Sequence, residues 1–358
     1  MSWLNQHKNQ VRSFIIGAIV IGLTLLAATG VYLYRERKAT ELLIEMRRQE
    51  SEAAVTETAV SAQVEEITAD LSADTVTWQG KTYKKNTYIK AILCMGVDRS
   101  DAMTETMELG KAGQADGIFL IAQDTARNKL KILMIPRDTM TEVTALNPDG
   151  SVKGKEPDHI LMAYAYGDGR EGSCINMAES VSNLLHGLPI DHYLASDLVM
   201  LGELNDAVGG VTVTVPTAGM EKSDPAFVKG AQVTLQGKQA EKFVRYRDIT
   251  VDHSAIFRMN QQKEYITQYF AALQKKSKED SQIVTRLFTM LEDYMVTDMA
   301  KDQYLKIALD AVASEGISGD DFYTIPGSGV TTEVYDEYYA DEEGMISVVL
   351  DLFFREEN

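Results

Sequence analysis

Five guanidinium groups and three carboxylates stand out by where they fall in the chain. Asp98 and Arg99 directly follow the apolar run Ile89 to Val97, Asp116 precedes the run Gly117 to Ala122, and Arg137 and Asp138 follow the run Leu130 to Ile135 across Pro136. Ligands of open α/β sheets gather beyond strand ends, so charges placed there are candidates for one shared site. Arg245 and Arg247 stand two apart in Phe243-Val-Arg-Tyr-Arg247, and in an extended segment both would project to one side. Arg258 and Gln262 are four apart in a helical pattern and share a face. Arginine offers a planar fork of donors suited to phosphate oxygens, and paired carboxylates can hold a Mg²⁺ that bridges phosphates. Together the set describes a seat for a pyrophosphate. Taken singly, each residue reads equally well as a surface or strand-end ion pair.

The elements that must position these residues are legible in outline. Ile89 to Val97, Gly117 to Ala122 and Leu130 to Ile135 are each too short for a core helix and rich in Ile and Leu, which predicts buried strands. Before them, Thr75-Val-Thr-Trp78 and Lys81-Thr-Tyr83 flank Gln79-Gly80 as a small hairpin that opens the folded domain. Ser173 to Leu185 carries helical spacing, with Gly187 behind it as a stop. Val211 to Val215 alternates like a strand and ends at Pro216, while Ile256 to Leu273 and Ser281 to Val296 read as helices. Strands interleaved with helices predict a layered α/β domain. The acidic tail from Asp320 carries Phe322, Tyr323, Ile325, Tyr335 and Tyr338 and a closing helical pattern from Val348 to Phe354, so it is expected to pack onto the domain.

Composition excludes several classes. A net charge of −18 disfavours binding to nucleic-acid backbone, and no basic reading helix is present. Cys94 and Cys174 allow at most one disulfide and no four-cysteine zinc site; Cys94 sits in an apolar run as an inert thiol. Gly167-Asp-Gly169-Arg-Glu-Gly172 matches a dinucleotide fingerprint, but no clear strand precedes it, so it reads as a glycine-rich turn before a helix. The histidines at 7, 159, 186, 192 and 253 show no ligand spacing. At the N-terminus, residues 14–34 carry no charge over 21 positions, long enough for a transmembrane helix. This divides the chain into a short tail (1–13), the span (14–34), a helical stalk (35–74) and a folded domain (75–358). Arg35, Arg37, Lys38, Arg47 and Arg48 follow the span, so the positive-inside count alone slightly favours a cytoplasmic domain.

The ordered series Leu93-Cys-Met-Gly-Val-Asp98-Arg99, Ala115-Asp116-Gly117, Met134-Ile-Pro-Arg137-Asp138-Thr139, Ala163-Tyr-Ala-Tyr-Gly167, Leu188-Pro-Ile-Asp-His-Tyr193, Asn205-Asp-Ala-Val-Gly-Gly-Val211 and Val244-Arg-Tyr-Arg247 resembles the LytR-CpsA-Psr (LCP) family over about residues 88–275. The resemblance implies a layered α-β-α domain with a central mixed sheet, held outside the cytoplasmic membrane of a Gram-positive bacterium by one N-terminal helix. It implies a phosphotransferase that moves an anionic glycan, of teichoic acid or capsule type, from a polyprenyl pyrophosphate carrier to peptidoglycan, with pyrophosphatase side activity. It further implies that Asp98 and Asp116 hold Mg²⁺ or Mn²⁺, that Arg137, Arg245, Arg247 and Arg258 bind pyrophosphate with Arg99 and Gln262 beside them, and that Asp138 orients Arg137. A non-catalytic envelope scaffold that holds lipid-linked glycan is the alternative. The chain departs from the family pattern at Gln114-Ala-Asp116-Gly117, where Arg-Ser-Asp-Thr is usual, at His159-Ile-Leu-Met162 for Lys-Ile-Asn-His, at His253-Ser-Ala-Ile-Phe-Arg258, and at Gln261.

Overall fold

The opening hairpin forms as its turn residues require. Strands β1 (Thr75–Trp78) and β2 (Lys81–Lys85) pair antiparallel around Gln79 and Gly80, whose φ values of 47° and 77° are the two positive angles that a two-residue primed turn needs. The computed structural model describes residues 69–357, save residues 100, 101, 109, 148, 150, 249, 252, 253, 333 and 334. The expected tail and membrane span and most of the stalk lie outside the described residues, and among the described residues no helix is long and apolar enough to cross a membrane. The folded unit begins before Thr75: Leu71 is fully buried in the main core, and its N–H donates to the carbonyl of His186 at 2.8 Å.

Three strands follow in the positions expected, β3 (Ile89–Val97), β4 (Ala115–Asp124) and β5 (Lys129–Met134), and then an antiparallel ribbon of β6 (Met140–Leu146) and β7 (Val152–His159). The short α1 (Met162–Ala165), α2 (Glu171–Leu184), β8 (His192–Asp197) and α3 (Leu201–Ala207) come next. After them β9 (Val211–Thr214) pairs with β10 (Gln232–Leu235), leading into α4 (Lys238–Arg245) and the long α5 (Ser254–Glu279). The segment expected as one helix from Ser281 to Val296 is instead α6 (Ile283–Leu291) followed by strand β11 (Met295–Thr297), because Met295-Val-Thr297 finds an open sheet edge and pairs with β8. The chain closes with α7 (Lys301–Val312), β12 (Phe322–Thr324), the hairpin strands β13 (Gly327–Thr331) and β14 (Asp336–Ala340), α8 (Glu342–Phe353) and β15 (Phe354–Glu357). The tail does pack: β12 joins the main sheet beside β5, and β15 pairs with β2, so Phe354 is strand rather than helix.

The main sheet has the order β11-β8-β3-β4-β5-β12 and is mixed, parallel at β8/β3 and β5/β12 and antiparallel elsewhere. The period-2 alternation of strands sends Ile118, Leu120 and Ala122 into the core shared with α2 and α8, while Phe119 and Ile121 face Met259 and Ile266 of α5. Helices therefore cover both faces. Leu93, Leu120 and Leu133 lie in register across the three central strands and are each 0% exposed. Burial of each contributes roughly 2 kcal/mol. The same register sets the site. Val97 lies opposite Ala115, Phe119 opposite Met134, and Val97 beside Asp197, so the end of β3, the start of β4 and the ends of β5 and β8 share one rim of the sheet.

Candidate functional site

At this rim Asp116 sits between two arginines. Its side chain is 9% exposed; Oδ1 accepts a short hydrogen bond from Arg137 Nη1, and Oδ2 lies 3.3 Å from Arg258 Nη1. Arg258 Nη2 also donates to the Asp116 carbonyl at 3.1 Å. Arg258 comes from the first turns of α5 and is 5% exposed, so it is held as part of the wall. Burial pulls its pKa below the ordinary arginine value; the Asp116 carboxylate opposes that, and the nearby charges of Arg137 and Arg247 add to it. Two of the expected arginines, Arg137 and Arg258, thus converge on one carboxylate.

Asp98 and Arg245 form the adjoining pair. Arg245 Nη2 donates to Asp98 Oδ1 at 2.7 Å, and Nη1 donates to Glu241 one helical turn back at 3.0 Å. Burial works against the charge of Arg245, but Asp98 and Glu241 outweigh it and its pKa lies above the ordinary value. The segment carrying Arg245 and Arg247 is not extended as expected. Lys238 to Arg245 is α4, with Ala240, Phe243 and Val244 buried, and the chain leaves the helix at Tyr246, where ψ is 129°. The two arginines consequently point to different partners. Arg247 Nε donates to Ser254 Oγ at 2.6 Å and Nη2 to Asp336 Oδ2 at 3.2 Å. Arg137 Nε lies 3.2 Å from Asp138 Oδ1, a charge contact.

Two cavities lie on either side of these side chains. A cleft of about 710 Å³ is lined by the charged Arg137, Asp138, Arg247 and Asp336, by His159 and Tyr335, and by the apolar Leu161, Met162 and Val251, among others. An apolar pocket of about 250 Å³ lies beside it, walled by Leu201, Leu204, Tyr265, Ile266, Tyr269 and Phe270, with Asp116, Arg245, Arg258 and Gln262 also on its lining. A narrow gap lined by Asp116, Arg137, Arg258 and Gln262 shares residues with both. Gly117 keeps the pocket floor low: a Cβ there would stand 2.9 Å from Phe119 and 3.6 Å from Gln262 Nε2. The apolar wall comes from α5 and α3. Helix α2 lines a different groove with His192 and Asp298.

Arg99 is not brought to this centre. It is 9% exposed, and its guanidinium donates to the carbonyls of Gly169 at 3.1 Å and Ala102 at 3.4 Å, so it ties together two turns and is withdrawn from the expected binding set. The Gly167 to Gly172 motif is a helix-start turn, in which Asp168 accepts from the N–H groups of Arg170 and Ser173. Cys94 and Cys174 are both free, and burial pushes the Cys94 thiol up to about 12. Sequence reasoning missed Ser254 and Asp336, which brace Arg247, and it took His159 for an ordinary surface or core residue. Asp336 lies 89 positions from Arg247, and no local spacing reveals that contact. Among the described residues the buried Nε atoms of Arg137 and Arg258 have no hydrogen-bond partner, two donors that an anionic oxygen would satisfy.

The structure thus has a mixed sheet between helices, with acids and arginines on one rim beside an apolar pocket. The chain belongs to the LytR_cpsA_psr family, whose model matches residues 46–350, a longer span than the motifs cover. A relative from Enterococcus faecalis (strain ATCC 700802 / V583), the polyisoprenyl-teichoic acid–peptidoglycan teichoic acid transferase TagU, is 27% identical over 264 residues, 73% of this chain and 78% of its own length. Two solved structures share the fold. Protein gbs0355 from Streptococcus agalactiae matches with a TM-score of 0.58 and 21% identity over 74% of this chain and 87% of that one. TagV of B. subtilis matches with a TM-score of 0.53 and 22% identity over 75% and 96%.

Proposed function

We propose that this protein transfers an anionic wall glycopolymer from a polyprenyl pyrophosphate carrier to a hydroxyl of peptidoglycan. The observation that carries the reading is an arginine-bearing cleft and an apolar pocket on either side of Asp116, Arg137 and Arg258, which line the narrow gap between them. A lipid-linked diphosphate has that same division into apolar tail and charged head. The acceptor oxygen attacks the glycan-side phosphorus, the bond to the bridging oxygen breaks, the hydroxyl proton is lost, and polyprenyl phosphate leaves. Charge develops on the non-bridging and leaving oxygens, so catalysis is mostly positioning and electrostatic stabilisation. Arg137 and Arg258, both on Asp116, would stabilise those oxygens, and Arg245 and Arg247 extend the positive rim.

A divalent cation fits the donor set, because Mg²⁺ is commonly held by one or two carboxylates and completes its shell with phosphate oxygens and water. Asp98, nearly half exposed, and Asp116 would hold it. When bound it would neutralise charge on the diphosphate. Asp116 already has an arginine on each oxygen, so those pairs must loosen as the substrate arrives. The domain then works at the membrane surface, with residues 14–34 as the anchor and the domain outside the cytoplasm. The test is transfer of lipid-linked polymer to peptidoglycan by the full-length protein with Mg²⁺. We expect Arg137→Ala to lower turnover by a hundredfold or more, as loss of an oxyanion-type donor does by ~10²–10³. Full turnover in that variant would refute the assignment, and carrier binding without turnover in the wild type would favour a scaffold.

A further inference from the structure

The cleft also carries His159. It closes β7, and its ring is held at both nitrogens: Nδ1 is 3.3 Å from Asp158 Oδ1, and Nε2 is 3.0 Å from the backbone carbonyl of Asp336 on β14. A carbonyl oxygen only accepts, and an ionised carboxylate only accepts, so satisfying both contacts takes an N–H on each ring nitrogen. Asp158 is ionised: burial raises its pKa, but hydrogen bonds from the His159 ring, Tyr166 Oη and the His159 backbone N–H together hold it below the usual carboxylate range. The same contacts raise His159, with Asp158 the largest cause, burial opposing and the Asp336 carbonyl helping.

The carbonyl that His159 grips belongs to the residue whose carboxylate braces Arg247. Asp336 Oδ2 accepts from Arg247 Nη2 at 3.2 Å, and Oδ1 accepts from Thr331 Oγ1 at 3.1 Å. Strand β14 is moored to the cleft a second time by the Tyr338 N–H on the Asp138 carbonyl at 2.8 Å. Resting on the pyrophosphate reading above, we infer that the His159 imidazolium is a positioning residue that pins β14 to the cleft and so sets Asp336 against Arg247, aiming that guanidinium at the phosphates. The charges facing His159 from its surroundings are Asp158 on its own strand, Asp138 after β5, and Asp336 with Arg247 across the cleft; the phenols of Tyr166 and Tyr335 complete the set, the Tyr335 ring lying edge-on at 5.8 Å. A lysine ammonium on a flexible stem would not reproduce these two fixed, opposed donors. The consequence is a pH dependence of phosphate binding carried by the orientation of Arg247.

Two measurements on the full-length protein in detergent test this. The first follows the ¹⁵N shifts of the His159 ring in the wild type, assigned by their absence in H159Q or H159N. Both nitrogens protonated at neutral pH, with a midpoint above the ordinary value of about 6.5, is expected; a neutral single tautomer there overturns the inference. The second compares inorganic pyrophosphate affinity of the wild type, H159Q, D336N and the double variant on both sides of that midpoint. Ratios between variants at one pH cancel the titration of pyrophosphate itself. Below the midpoint H159Q should bind roughly threefold to tenfold more weakly, the ratio should shrink towards one above it, and H159Q should add nothing in the D336N background. An unchanged affinity, or an equal loss in that background, overturns the positioning role. Wild type that binds no pyrophosphate would dismiss the phosphate reading and the role that rests on it, while the ring titration would still report whether the clasp exists.

Discussion

Arg137→Lys keeps a charge beside Asp116 but removes the fork. Lysine is a point charge with no second nitrogen to meet a diphosphate while the first meets a carboxylate. Transfer by this variant should therefore stay far below wild type, close to Arg137→Ala, and rates near wild type would show that charge alone suffices. Arg99 gives the opposite pattern. Its two bonds go to backbone carbonyls, so Arg99→Ala should destabilise the fold by roughly 1–3 kcal/mol in denaturant unfolding. The activity of its folded fraction should remain near wild type, and a specific loss of turnover at full stability would return Arg99 to the site. Both arginines follow buried strands, which is all that the sequence displays. What separates them is the turn after each strand: Arg99 N–H bonds back to Val97 and the side chain dives under the Gly169 turn, whereas Pro136 carries the chain outward and leaves Arg137 over Asp116.

At the level of elements, β3, β4 and β5 were readable because each buries a strongly apolar run, and α5 because of its length; their ends placed Asp98, Asp116, Arg137 and Arg258 where expected. Helix α4 was not, since eight residues with three buried side chains leave a pattern too brief to tell helix from strand. The three-residue β11 exists only because β8 offers an edge. The apolar pocket between α3 and α5 is a product of packing, and it can be tested separately from the arginines. Leu204→Trp should fill it and abolish use of long-chain carriers while pyrophosphate binding stays within about twofold, the change expected of a surface-neutral substitution below 0.5 kcal/mol; unchanged carrier use would remove the pocket from the account. The tie between β7 and β14 predicts a pH effect on stability. A histidine whose folded pKa is raised stabilises fully below its unfolded value of about 6.5 and loses that contribution as pH rises through the folded value. H159Q should thus be less stable than wild type by on the order of 1 kcal/mol near pH 6, and the gap should close in alkaline buffer; a constant gap would mean that packing, not charge, is what the variant removes.

On the scale of the whole molecule, a chain of net charge −18 gathers cations at one rim of its main sheet. The acids that hold them, Asp98, Asp116, Asp138 and Asp336, come from four separate stretches, three of them at strand ends that sequence reasoning identified and one in the aromatic, acidic tail where it did not. That tail proved integral: β12 extends the sheet, β15 closes the N-terminal hairpin, and β14 supplies the brace for Arg247. The most direct test of this convergence is a crystal structure of the protein with a short polyprenyl pyrophosphate. The account predicts diphosphate oxygens at about 3 Å from the guanidiniums of Arg137 and Arg258, the Asp116–Arg137 pair opened, and the isoprenoid chain against Leu204, Ile266 and Phe270. A diphosphate bound elsewhere, with Asp116 still clasped between its two arginines, would contradict it.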